Sequence, residues 1–295
     1  MLGRPKILAP LLAAAALAAA AEKPVVFVSI PPQAWLVRRA AGEAVDVQTL
    51  MAPGANPHTF EPGARQVKKL AEASLYLTMG LPFERTLVGR AAALNPALRV
   101  VGVDAGIDKI RSDAHDHAHG AACSADGFDP HIWLSPRRFA AMASNTVAAL
   151  AQALPARRGE LEAGLGRAVS EIGAAGRAAD VAAHSAKAKA WVAYHPSWSY
   201  FAADYGVALL VIEEDGKAPS ARHLAESIRQ AREAGARTVF AEPQYDRRPA
   251  QTLADQLGAR LVCLDPLQED WPALMRAAAQ TLAGDSAPGR GEARR

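Results

Sequence analysis

Hydrophobic periodicity constrains this chain more than any other feature. Short β-branched runs alternate with helical segments along residues 24–103, one long Ala-rich stretch interrupts them, and the alternation then resumes. Strands are read at 24–30 (PVVFVSI), 45–50, 75–79 (LYLTM) and 99–103, with helices at 33–41, 64–73 and 83–93 between them. A strand–helix–strand alternation of this kind requires a parallel sheet with helices on its faces. Residues 104–130 are polar and rich in Gly and His and read as a long loop, followed by a helix at 136–154. Pro155 punctuates the chain, and residues 157–187 form one helical stretch of Ala, Glu and Arg with no strand signal and little bulk for a core of its own. Strands return at 190–194, 207–212, 238–241 and 260–264, with helices at 198–205, 221–234, 248–257 and 271–282. The expected fold is α/β: two Rossmann-like lobes with parallel sheets, joined by one long connecting helix.

Composition agrees with that plan. The 295 residues are 50% hydrophobic and 21% charged, too apolar for a disordered chain and long enough for two domains. The formal charge of +3 is too weak a field to hold nucleic acid. Residues 1–21 have the layout of a secretory signal peptide: Arg4 and Lys6, an apolar stretch from Ile7 to Leu17, then small residues to Ala21. The apolar run is shorter than the ~20 residues that span a bilayer, and Pro10 breaks it. Without Arg4 and Lys6 the count is 31 basic against 30 acidic residues, so the exported chain is close to neutral. The expected segments are a signal peptide at 1–21, a first lobe at 22–156 and a connecting helix at 157–187. A second lobe follows at 188–283, and a Gly/Arg-rich disordered tail at 284–295.

The histidines carry the chemistry. His58 (PGANPHTFEP), His131 (DPHIWLSP) and His195 (YHPSW) each adjoin a strand end and precede a helix, and Asp265 (LVCLDPL) has the same placement. Ligands of open α/β sheets bind beyond the carboxyl ends of strands, so these four residues, 73, 64 and 70 positions apart, would meet in the cleft between the lobes. Three imidazoles and a carboxylate suit tetrahedral Zn²⁺. Carboxylate-rich sites favour Mn²⁺, Mg²⁺ or Ca²⁺. From spacing alone, the competing reading is that each His is a separate turn residue bonded to local backbone. An exported zinc hydrolase is the other class of function, but the chain has no HExxH or GxSxG motif, and four protein ligands leave no open position for water.

PGANPHTFEP, DPHIWLSP, YHPSWSYFAADYG, EEDGKAPSARHL and LDPL together resemble the ZnuA/TroA-type (cluster A-I) metal-binding proteins of ABC transporters, over essentially the whole exported chain. The resemblance implies two lobes bridged by a helix, metal at their interface, no enzymatic activity, a periplasmic location and a membrane permease as partner. It implies His58, His131, His195 and Asp265 as ligands, with Asp265 the least secure. Glu61, near His58, is an outer partner, an alternative ligand or a surface cap. Manganese-type members carry a carboxylate where this chain has His195, so zinc is expected ahead of manganese or iron. A monomer is expected.

A second cluster, Asp113, His115, Asp116, His117 and His119, lies in the loop at about 111–125. Alternating histidines in a polar loop are a compositional metal signal. The resemblance implies an auxiliary zinc-collecting loop, and a solvated loop is the alternative. The chain has two cysteines, Cys123 and Cys263. Export permits a disulfide between them, and a buried thiol at Cys263 competes with it. His184 and His223 read as surface residues, and Trp133 and Trp198 as packing beside the site.

Overall fold

The computed structural model describes residues 23–52, 54–111, 127–186, 190–213 and 219–284. The signal-peptide segment, the cluster of His115, Asp116, His117 and His119, Cys123, and the tail beyond residue 284 lie outside the described residues.

Two four-stranded parallel sheets form the frame. The first contains β1 (Val25–Val28), β2 (Asp46–Thr49), β3 (Leu75–Thr78) and β4 (Arg99–Gly102) in the order β2-β1-β3-β4. The second contains β5 (Ala190–Ala193), β6 (Ala208–Val211), β7 (Thr238–Ala241) and β8 (Arg260–Cys263) in the order β6-β5-β7-β8. The two lobes thus repeat one topology. The inner strands VVFV, LYLT, AWVA and TVFA are largely buried, whereas the outer strands DVQT, RVVG, ALLV and RLVC keep exposed positions. Strands covered on both faces read as apolar runs, and edges do not.

The helices are α1 (Pro31–Ala41), α2 (Ala64–Ala71), α3 (Glu84–Leu94), α4 (Pro136–Ala153), α5 (Arg158–Ser185), α6 (Ser199–Tyr205), α7 (Ala221–Glu233), α8 (Arg247–Leu257) and α9 (Trp271–Gly284). Among the described residues, none is long and apolar enough to cross a membrane. Helix α1 begins two residues before the expected Gln33, because prolines fit the first turn, where an N–H has no helical partner. Gln33 Oε1 then accepts from the backbone N–H of Ser29 (3.0 Å) and Ile30 (3.2 Å).

The connecting helix α5 has 28 residues, roughly 42 Å at 1.5 Å per residue. Its buried face runs through Leu161, Gly164, Ala168, Ile172, Ala175, Gly176, Ala179 and Ala182, the spacing of one helical stripe. The small side chains have a purpose: a Cβ at Gly164 would lie 2.0 Å from the Ala40 carbonyl oxygen of α1, and one at Gly176 would lie 3.2 Å from Pro136 Cβ of α4. The Ala-rich composition is what lets α1, α4 and α9 close on α5.

Helix α9 follows the second sheet in the chain but packs against α5 and joins the first lobe's core. Trp271 stacks on Phe139 of α4 (centroids 4.4 Å apart, 22°). Its Nε1 donates to the Trp133 carbonyl (2.7 Å), and Trp133 Nε1 donates to the Pro266 carbonyl (2.8 Å). The apolar core runs from the first sheet through these helices to Trp191, Trp198, Phe201 and Phe240. The opposite face of the second sheet, with Val192 and Val239, packs separately under α7 and α8.

Cys263 ends the edge strand β8 with an exposed side chain. The buried-thiol expectation is therefore corrected: an edge strand presents its last residue to solvent. Its pairing with Cys123 falls outside the described residues.

Candidate metal centre

Each histidine reaches the cleft by a different route. His131 follows Pro130, and Asp129 Oδ1 accepts from both its backbone N–H (2.9 Å) and its ring Nδ1 (2.7 Å). Asp129 is itself anchored, since Tyr200 of α6 donates its hydroxyl to the Asp129 carbonyl (2.6 Å). His195 comes two residues after β5, and its Nδ1 lies 2.9 Å from Oε1 of Glu213, two residues after β6. Both rings are nearly inaccessible. With Nδ1 occupied by a carboxylate, Nε2 is the atom each ring can turn toward an ion, the arrangement that fixes tautomer and raises ligand basicity. His58 sits in the loop after β2, its backbone N–H donating to Asn56 Oδ1 (2.9 Å). Neither of its ring nitrogens has a hydrogen-bond partner.

The three rings converge. Centroids are 5.4 Å apart for His58 and His131, 4.6 Å for His58 and His195, and 5.1 Å for His131 and His195. One nitrogen from each lies within 4.8 Å of the others. Burial pushes the His58 imidazole down to about 2, and His195 and His131 oppose its charging further, while Asp129 works weakly the other way. His58 is therefore held as the neutral ligand form. Asp129, by contrast, stays below the usual carboxylate range: burial raises it, and contacts with His131 outweigh that.

The structure brings the three histidines together without Asp265. Asp265 Oδ1 accepts instead from Gln244 Nε2 (2.6 Å) and from the Leu267 backbone N–H (2.9 Å). Glu61 is exposed, three residues beyond His58. Trp133 and Trp198 are fully buried, and the Trp133 ring lies 5.1 Å from that of His131. His184 is exposed on α5, its Nδ1 2.7 Å from the Asp180 carbonyl.

The cleft also holds residues the sequence did not single out. Glu242, Gln244 and Tyr245 follow β7 and line the pocket with the three histidines, Ser197 and Trp133. The Tyr245 ring stacks on His195 (5.2 Å, 28°). Burial pushes Glu242 up to about 8; Ser197 opposes this, and Glu213 and Asp265 add to it. A dication at the imidazoles would favour the carboxylate form. Glu213 and Glu242 had a signal available, since both adjoin carboxyl ends of strands in the second lobe. Asp129 had another in the tight Asp-Pro-His sequence, a carboxylate two residues from a ligand.

Residues 26–284 match the family model described as zinc-uptake complex component A, periplasmic. The chain belongs to this family. It is a family of transport components, not of enzymes. Among curated members, the zinc-binding protein AdcA of Streptococcus pyogenes serotype M6 is 28% identical over 245 residues, 77% of this chain and 47% of AdcA. The chain thus spans about half the length of the AdcA relatives it matches. The high-affinity zinc uptake system protein ZnuA of Paracoccus denitrificans is 26% identical over 271 residues, covering 81% of this chain and 82% of that protein. A crystal structure of ZnuA superposes with a TM-score of 0.82 at 30% identity, covering 90% of this chain and all of that one. A zinc-bound deletion variant of ZnuA gives a TM-score of 0.81 at 30% identity, covering 90% of this chain and 99% of that one. The periplasmic zinc-binding protein TroA of Treponema pallidum, 20% identical with a TM-score of 0.76 and covering 90% and 100% of the two chains, shares the fold.

Proposed function

We propose that this protein captures Zn²⁺ at His58, His131 and His195 in the periplasm and hands it to the membrane permease of an ABC transporter. The observation that carries the reading is the convergence of three imidazoles from three loops of two lobes, two of them backed by carboxylates. A neutral-nitrogen donor set suits Zn²⁺ better than Mn²⁺, which favours oxygen. Family membership and the names of the zinc-binding relatives support the cargo, and the basic-then-apolar stretch at 1–21 supports export. The protein needs no chemistry of its own: capture rests on prepared ligands, and release on displacement of a ligand loop by the permease. Competition between Zn²⁺ and Mn²⁺ for the purified chain tests this. Zn²⁺ is expected to win by orders of magnitude, and His131→Ala to abolish the preference. Equal affinity for the two ions, or tight binding without His131, would overturn the reading.

A further inference from the structure

The three histidine segments are not held alike. The one carrying His131 is tied to the second lobe on both sides of the ring. The Tyr200 hydroxyl of α6 donates to the Asp129 carbonyl (2.6 Å), and Trp133 Nε1 donates to the Pro266 carbonyl (2.8 Å). His195 belongs to the second lobe, and Glu213 backs its ring (2.9 Å). His58 belongs to the first lobe, and its ring nitrogens have no hydrogen-bond partner. Its loop is fastened to its own lobe by Phe60, which meets Phe83 edge-on (centroids 5.0 Å apart, 76°). Opening the cleft therefore means parting the His58 loop from the second lobe.

One residue bridges that seam. Tyr245, in the loop after β7, lays its ring on His195 (centroids 5.2 Å apart, 28°). Its hydroxyl is hydrogen-bonded to the Asn56 side chain of the opposite lobe. Asn56 Oδ1 also accepts from the His58 backbone N–H (2.9 Å). The first-lobe histidine and a second-lobe histidine are thus linked through two other side chains, while the nitrogens that converge on the ion position belong to the three histidines. Pro57 and Tyr245 line the same pocket as those rings, so the link runs along its wall. A bond between two protein groups favours the closed cleft equally with or without an ion inside. It raises the barrier to opening, whereas an equilibrium shifts only with a difference between loaded and empty states. We infer that Tyr245 is a clasp on the His58 loop that governs how fast zinc enters and leaves, and not how tightly it is held. The inference rests on the zinc-capture reading and adds a rate to it. A partner that draws Asn56 away from Tyr245 opens the cleft without touching a ligand.

Stopped-flow kinetics on the full chain test the clasp, with uptake followed by loss of zinc from a chromophoric chelator and release by transfer to excess chelator. Tyr245→Phe keeps the ring on His195 and removes only the hydroxyl. It is expected to raise the uptake and release rates together, roughly threefold to tenfold, the range for one hydrogen bond, with Kd within about twofold of wild type. Asn56→Ala breaks the same bond from the other side, so adding Tyr245→Phe to it is expected to change the rates no further, and two accelerations that multiply overturn the pairing. Wild-type rates in Tyr245→Phe overturn the clasp. So does a weakened affinity with an unchanged uptake rate, the signature of a hydroxyl that orients a ligand. In those cases zinc capture itself stands. A wild-type chain that takes up no zinc overturns both.

Discussion

Removing the carboxylate behind His131 isolates how much of the affinity is prepared before an ion arrives. Asp129→Ala deletes the acceptor of both the His131 ring Nδ1 (2.7 Å) and its backbone N–H (2.9 Å). It leaves the Tyr200 hydroxyl bond intact, because that bond goes to the Asp129 backbone carbonyl. The loop therefore keeps its anchor while the ring loses its tautomer lock. A hydrogen bond to a charged group contributes about 1.5–3 kcal/mol. At about 1.4 kcal/mol per tenfold, that is roughly a tenfold to hundredfold loss of zinc affinity, matching the usual cost of losing a carboxylate behind a ligating histidine. The measurement is chelator competition near neutral pH, with circular dichroism to show that the variant is folded. Asp129→Asn is the control: its amide oxygen still accepts from Nδ1, so a smaller loss is expected. An Asp129→Ala variant within twofold of wild type would refute the idea that this carboxylate prepares the ligand.

Three further outcomes follow from the packing and the titration of His58. In Gly164→Ala the new methyl meets the Ala40 carbonyl at 2.0 Å, and overpacking of this kind costs about 1–3 kcal/mol. A melting point roughly 2–12 °C lower is expected, whereas Gly166→Ala, with open space around it, should not lower it; equal melting points would sink the close-approach account of α5. Trp271→Ala removes the stack on Phe139 and the bond to the Trp133 carbonyl, expected to cost about 3–5 kcal/mol, and a denaturant midpoint unchanged from wild type would refute the role assigned to α9. His58 is held near 2 in the fold against an ordinary 6.5, so the unfolded chain alone takes up its proton. Metal-free stability should then fall as pH drops below about 6.5, by up to about 1.4 kcal/mol per pH unit from this residue. Thermal melts of wild type and His58→Gln between pH 7 and 5 check the sign: the variant should be the flatter, and parallel curves would count against a buried neutral His58.

Much of this was legible before any coordinates. The runs VVFV, LYLT, AWVA and TVFA are apolar because both faces of their sheets are covered, so the strands could be read directly, though not their order in each sheet. Of the three histidines only His195 lies just past a strand, two residues after β5; His58 comes nine residues after β2 and His131 directly follows no described strand, so strand-end placement alone left their convergence open. What could not be read depended on contacts between distant segments. Glu213 lies 18 residues from His195 and reaches it only because β6 pairs beside β5. The stripe on α9 shows that the helix has a buried face but not which lobe supplies its partner. Asp265 stands at the expected strand end, yet whether it turns to an ion or to Gln244 depends on the loop after the neighbouring strand, a choice no local pattern encodes.

The position of α9 also governs the order in which the molecule can assemble. The helix that finishes the first lobe's core is made after both sheets, more than 200 residues after β1. A nascent chain that has emerged as far as β8 has both sheets available, yet Phe139 and the α5 stripe still lack Trp271 and the rest of α9 to cover them. Contacts between segments so far apart form slowly, because the whole intervening loop must close first. The first lobe's core therefore stays open until α9 has been made, so its closure waits on a helix that the chain supplies only after the whole second sheet.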